Sequence, residues 1–165
     1  MDLAAKTDAE INNWISNHEA KRATGQPLYR QLLEERARRT QSKHQLNFDQ
    51  SLAHLKEAAI HQRCTTYGEL AKASGVDWKV ARHQMNGPSG HLDRLLDICF
   101  ARHLPLLTAI CVNQNGVATG ELEQTALSGF ASGARRLGIS VTDERKFHHD
   151  CRSACWEWGR LQKMS

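Results

Sequence analysis

Apolar positions recur at spacings of three and four residues along most of this chain, and caps, glycines and prolines separate the segments they define. From Asp8 to Lys21 the residues Ile11, Trp14, Ile15 and His18 follow that spacing and predict a short amphipathic helix with one aromatic anchor. Gly25-Gln26-Pro27 breaks it, and Leu28 to His44 predicts a charged helix whose main apolar contacts are Leu32 and Leu33. Asn47 suits the cap of a third helix, in which Phe48, Leu52, Leu55 and Ala59 form the first strong core stripe. Thr66 and Glu69 have the spacing of a reciprocal capping box, so a helix starts near Tyr67. Leu70, Ala71 and Ala73 give it a compact apolar side, and Gly75 supplies a left-handed stop. Asp77 then caps a helix on which Val80, Ala81 and Met85 are expected to face inward, leaving Trp78, Lys79, Arg82 and His83 on the outside.

Gly87-Pro88-Ser89-Gly90 makes a turn, and His91 to His103 predicts a helix that buries Leu92, Leu95, Leu96 and Cys99 before Pro105 closes it. Leu106 to Val112 has the apolar density of a buried strand, and Asn113-Gln114-Asn115-Gly116 is turn chemistry. A short return strand at Val117-Ala118 would complete a small wing. Beyond Gly120, Leu122, Ala126, Phe130 and Ala134 repeat every four residues until Leu137-Gly138, with Arg135 and Arg136 at the outer corner. Thr142 caps a last helix through Leu161 that carries Phe147, Trp156 and Trp158. The sum is a mainly α fold: a winged helix-turn-helix-like domain with a small β-hairpin and a two-helix N-terminal extension. The expected organisation is a basic helical extension over 1–46, the winged-helix-like domain over 47–138, and a C-terminal helix over 139–165 packing on the core.

Composition narrows this little. A chain of 165 residues with 40% apolar content can build one real core, but two full domains would be cramped. A formal charge of +4 permits a polyanionic partner without requiring one. No window approaches eighteen uninterrupted apolar residues, and the start lacks a basic and then hydrophobic leader, so a cytoplasmic protein with no membrane partner is expected. The five cysteines, odd in number and scattered, fit a reducing compartment rather than a disulfide framework.

The chemistry concentrates between Thr65 and Met85. A capped helix, a glycine turn and a second helix bearing aromatic and basic side chains is the grammar of a helix-turn-helix, and the helix from Phe48 would make it a trihelix. Lys79, Arg82 and His83 would read or cross a DNA groove, Trp78 and Tyr67 would pack against sugar or base, and Arg36, Arg38, Arg39 and Lys43 would hold phosphate. The plain alternative is a helical hairpin with a solvated basic face.

Tyr67, Leu70, Ala71, Gly75, Ala81 and Arg82 stand in an order that resembles the helix-turn-helix of the O6-alkylguanine DNA alkyltransferases and alkyltransferase-like proteins. The resemblance implies that Tyr67 contacts the backbone beside an extruded nucleotide and that Arg82 fills the stack behind it. The family's Pro-Cys-His-Arg acceptor segment is missing, which argues against alkyl transfer. Cys111, the nearest counterpart in order, sits in an apolar run with no adjoining His or Arg, so a buried strand cysteine is expected. The stretch from Thr65 to Gly138, with Pro105-Leu106-Leu107-Thr108-Ala109-Ile110 ahead of Val112-Asn113 and a glycine, also resembles small winged-helix-like domains of bacterial defence and mobile-element proteins.

Other chemistry is sparse. His148, Cys151 and Cys155 could share one helical face, but a closed zinc site needs four ligands and no second pair occurs, so neither metal nor cofactor is expected. Asp93 and Asp97 lie one turn apart, and their alternation with Arg94 and Arg102 suggests a solvated ion-pair surface rather than a nuclease centre. His44, His54, His61, His83, His91 and His103 are expected at the surface or in caps. No catalytic constellation is complete. The expectation is a non-enzymatic DNA-binding protein, a regulator or accessory factor of a mobile-element or defence system. Alternatives are modified-base recognition without repair, or a protein-interaction or inhibitor module using Trp14, Trp156 or Trp158. A homodimer on paired half-sites would suit the motif.

Overall fold

The computed structural model describes residues 1–165 and is mainly helical. The helices are α1 (Asp8–Ala20), α2 (Pro27–Gln41), α3 (Phe48–Ile60), α4 (Tyr67–Ala73), α5 (Trp78–Met85), α6 (His91–Ala101), α7 (Gln124–Arg136) and α8 (Glu144–Met164). Local chemistry sets most of their starts. Thr7 and Glu10 form a reciprocal capping box on α1, Asn47 caps α3 by accepting from the Gln50 amide, and Asp77 caps α5 by accepting from the Lys79 amide. Asp143, not Thr142, caps α8, accepting from the Lys146 amide at 3.1 Å.

One core of 30 buried residues runs from Ile11 to Cys155 and draws on all eight helices. Tyr29, Leu32 and Leu33 of α2 are fully enclosed, and α2 packs along α6. The long α8 crosses α3 at Gly159, where any side chain would strike the Ala59 carbonyl. No helix is long and apolar enough to cross a membrane.

The expected wing takes another form. Leu107–Ile110 is a 3-10 turn, and only Cys111–Val112 is a strand, β2. It pairs in parallel with β1 (Thr65–Thr66), Thr65 opposite Cys111 and Thr66 opposite Val112. No hairpin forms. Residues 107–112 are buried on every side, so their apolar density carries no period that separates a strand from a buried turn. Asn113 accepts from the Gly116 amide at 3.1 Å and caps a second 3-10 turn, Gln114–Gly116, after which Val117 is exposed instead of returning along the sheet.

Three charged or polar positions lie deeper than their sequence suggests. Asp97 is fully enclosed and is held by Arg36 at 3.0 Å, by Arg94 at 3.0 Å and by Arg136. Asp93 and Glu19 complete the cluster through Arg136 at 3.4 and 3.2 Å. The ion pairs of Asp93, Arg94 and Asp97 are therefore an internal clasp between α1, α2, α6 and α7, not a solvated surface, and Arg136 belongs to it rather than to an outer corner, while Arg102 pairs with Glu34 at the exposed surface. Burying a carboxylate requires such compensation. His91 is likewise a core residue, stacked on Phe48 with ring centroids 4.8 Å apart and bonded to the Ser51 hydroxyl at 2.7 Å.

Candidate nucleic-acid interface

The α4–α5 pair has the expected order of cap, helix, glycine turn and second helix. The Thr66 hydroxyl accepts from the Glu69 amide at 3.2 Å, which starts α4, and Gly75 takes a φ of +70° to turn the chain toward α5. The Thr66 cap is one-sided, because the Glu69 carboxylate accepts from the Thr65 hydroxyl at 2.5 Å instead of reaching back to the Thr66 amide. His54 approaches the same hydroxyl at 2.6 Å, so Thr65 ties α3, β1 and α4 together. His54 and Glu69 border an open cleft of about 820 Å³ that Arg63, Cys64, Thr119 and Trp156 also line.

Ala81 and Met85 are the buried residues of α5 and fix its inward direction. At about 100° per residue, Val80 lies to one side of Ala81 and Arg82 to the other, with Lys79 and His83 roughly opposite. Lys79, Arg82 and His83 are accordingly exposed, and none of the three makes an ion pair. The nearest carboxylate in sequence, Asp77, is engaged in the helix cap. Trp78 is 43% exposed. Val80, expected inside, is 38% exposed, because the i to i+4 pair of Ala81 and Met85 already fills the contact with the core.

The chain matches no protein family, no curated protein and no solved structure.

The remaining site candidates divide sharply. Arg36 is half-buried against Asp97. Arg39 uses every arm internally, bonding Glu35, Asp8 and the carbonyls of Leu3 and Lys6. Neither side chain is free for phosphate. Arg38 reaches out from α2 while bonding Glu35 at 2.7 Å, and with Arg39 it holds the Glu35 carboxyl down at about 2. Lys43 is exposed, its ammonium 3.3 Å from Asp8. Gln84 of α5 accepts from the amides of Gln45 and Leu46, which brings the segment after α2 against the end of α5.

Tyr67 is half-buried and packs on the core, and burial pushes its phenol well up. Trp14, Trp156 and Trp158 also pack on the core, Trp14 beneath the Lys6 ammonium and Trp156 beneath the Arg152 guanidinium. Cys111 lies in β2 fully enclosed, and burial raises its thiol well above the ordinary range. On α8, His148 bonds the Ala109 carbonyl at 2.8 Å and the Cys155 thiol donates to the Leu106 carbonyl at 3.3 Å, so both serve packing.

Sequence reasoning missed Val80 as an outward residue and missed Gln84 as a link to the α2–α3 segment. The Ala81 and Met85 spacing carried the first signal. Nothing local carried the second.

Proposed function

We propose that this protein binds duplex DNA through α5, with α4 and the turn at Gly75 setting that helix against the groove. The observation that carries the reading is the outer surface of α5, where Lys79, Arg82 and His83 stand exposed and unpaired beside Trp78. The unpaired Lys79 and Arg82 cations on the exposed face of a short helix are what a groove with phosphates on both sides attracts. Lys43 adds a phosphate contact next to the end of α5, since an exposed pair with Asp8 gains too little to hold it. Arg36 and Arg39 serve the fold instead. The resemblance of residues 65–138 to domains of defence and mobile-element proteins supports an accessory or regulatory role.

The test is a titration of labelled duplex by fluorescence anisotropy at two salt concentrations. With about three phosphate contacts, affinity falls roughly 40-fold between about 50 and about 200 mM salt. Binding that is absent, or indifferent to salt, overturns the reading. The exposed Trp78 and Val80 favour one rival, a protein partner held by apolar contact, and salt-insensitive capture lost in Trp78→Ala would establish it.

A further inference from the structure

We propose that Val80 makes α5 a reader of the C5-methyl group of a pyrimidine in the major groove. The inference rests on the DNA reading above and names what that helix selects.

Isolated apolar side chains are ordinary on a protein surface. The distribution here is not scattered. Apart from Met1 and the residues Leu161 and Met164 at the end of α8, the large hydrophobic side chains exposed on this protein are Trp78, Val80 and Val117, so α5 holds two of the three. Every other outward side chain of α5 within the arc from Arg82 to Val80 is basic. Valine is also a poor choice for an exposed helical position on propensity alone, since its β-branch restricts rotamers that alanine or lysine would leave free.

Position gives the residue its role. Val80 is the third residue of α5, in the N-terminal half that a recognition helix points at base edges. His83 lies one turn on along the same edge, and Lys79 lies between that edge and Arg82. Lys79 and Arg82 hold phosphate or base acceptors to one side, while the branched methyls of Val80 at the edge of the basic arc offer no hydrogen bond. In the major groove the apolar feature of a base pair is the pyrimidine C5-methyl, and small apolar side chains recognise it by contact. Two bases carry it, thymine and 5-methylcytosine.

The experiment first enriches a randomised duplex pool on the full-length protein, then remakes the winning duplex with single-base changes. At the position read by Val80, thymine is replaced by deoxyuridine, or cytosine by 5-methylcytosine, which removes or adds one methyl and nothing else. Covering one methyl group corresponds to about a fourfold change in affinity. Wild type is expected to lose about that factor on thymine to deoxyuridine, which assigns thymine, or to gain it on cytosine to 5-methylcytosine, which assigns the methylated base. Val80→Ser, which exchanges the branched methyls for a hydroxyl, brings the affinity ratio between methylated and methyl-free duplexes towards one whatever its overall affinity, and circular dichroism confirms its fold. Salt-dependent binding with no methyl effect at any enriched position, or a methyl effect undiminished in Val80→Ser, overturns this inference and leaves the DNA reading intact. Failure to bind any duplex overturns both.

Discussion

Around Asp97 three guanidiniums meet three carboxylates with little solvent between them, whereas on α5 Lys79, Arg82 and His83 stand in water with no carboxylate to hold them. Both groups look alike as letters, basic residues on helices with apolar neighbours. The first is neutral as a unit and joins four helices, so its charges act on stability. The second is uncompensated and joins nothing within the chain, so its charges remain available to an external anion. A cation beside a buried acid is bound into the fold, and a cation with no acid near it is left to solvent.

Breaking the internal clasp has the largest expected effect. Asp97→Asn leaves Arg36, Arg94 and Arg136 without their shared anion, and removing one member of a buried ion pair destabilises by about 3–5 kcal/mol. Urea unfolding should show a lower midpoint. A variant as stable as wild type would mean that water reaches the cluster freely and that the contrast with α5 is false.

A second measurement separates interior from surface by pH. Burial pushes His91 down from 6.5 to about 4, and the nearby His44 charge adds to the shift. The unfolded chain therefore takes up the proton first. Stability from this group is complete above the unfolded value and declines as pH falls from about 6.5 towards 4, by up to about 1.4 kcal/mol per pH unit. His91→Phe should flatten that slope in denaturation curves recorded across this window. The stack on Phe48 gives phenylalanine a place to sit.

The outer surface should behave in the opposite way. Lys79→Ala with Arg82→Ala should lower the salt slope of DNA binding by roughly two units and move stability by no more than about 0.5 kcal/mol. A large loss of stability would place these side chains in the fold. The smallest effect is expected from Lys43→Ala, a fall of about one unit in salt slope, while Arg39→Ala should act on stability and leave the slope alone. The reverse result would exchange the roles of Lys43 and Arg39.

Much of the local structure is legible from the sequence. Asn47, Thr66, Gly75 and Asp77 mark helix ends because caps and left-handed turns depend on one or two side chains and their own backbone. The parallel pairing found in place of the expected hairpin at Leu106–Ala118 is not, because a continuous apolar run has no period and the partner of β2 lies more than forty residues earlier. The outward placement of Lys79, Arg82 and His83 could be read, since helical geometry fixes it once Ala81 and Met85 turn inward. The same geometry places Val80 outside, and only the wish to bury every valine hides it.

The sequence by itself determined the caps of α3, α4 and α5, the core stripe of α3, and that α4 and α5 form a capped pair with a basic exterior. These depend on neighbours within a few residues. Tertiary structure alone decided that Arg36, Arg94 and Arg136 close on Asp97, that His91 enters the core, and that β1 and β2 run parallel. Each of these joins groups far apart in the chain, and a charge or a short strand has no preferred partner until packing brings one within reach.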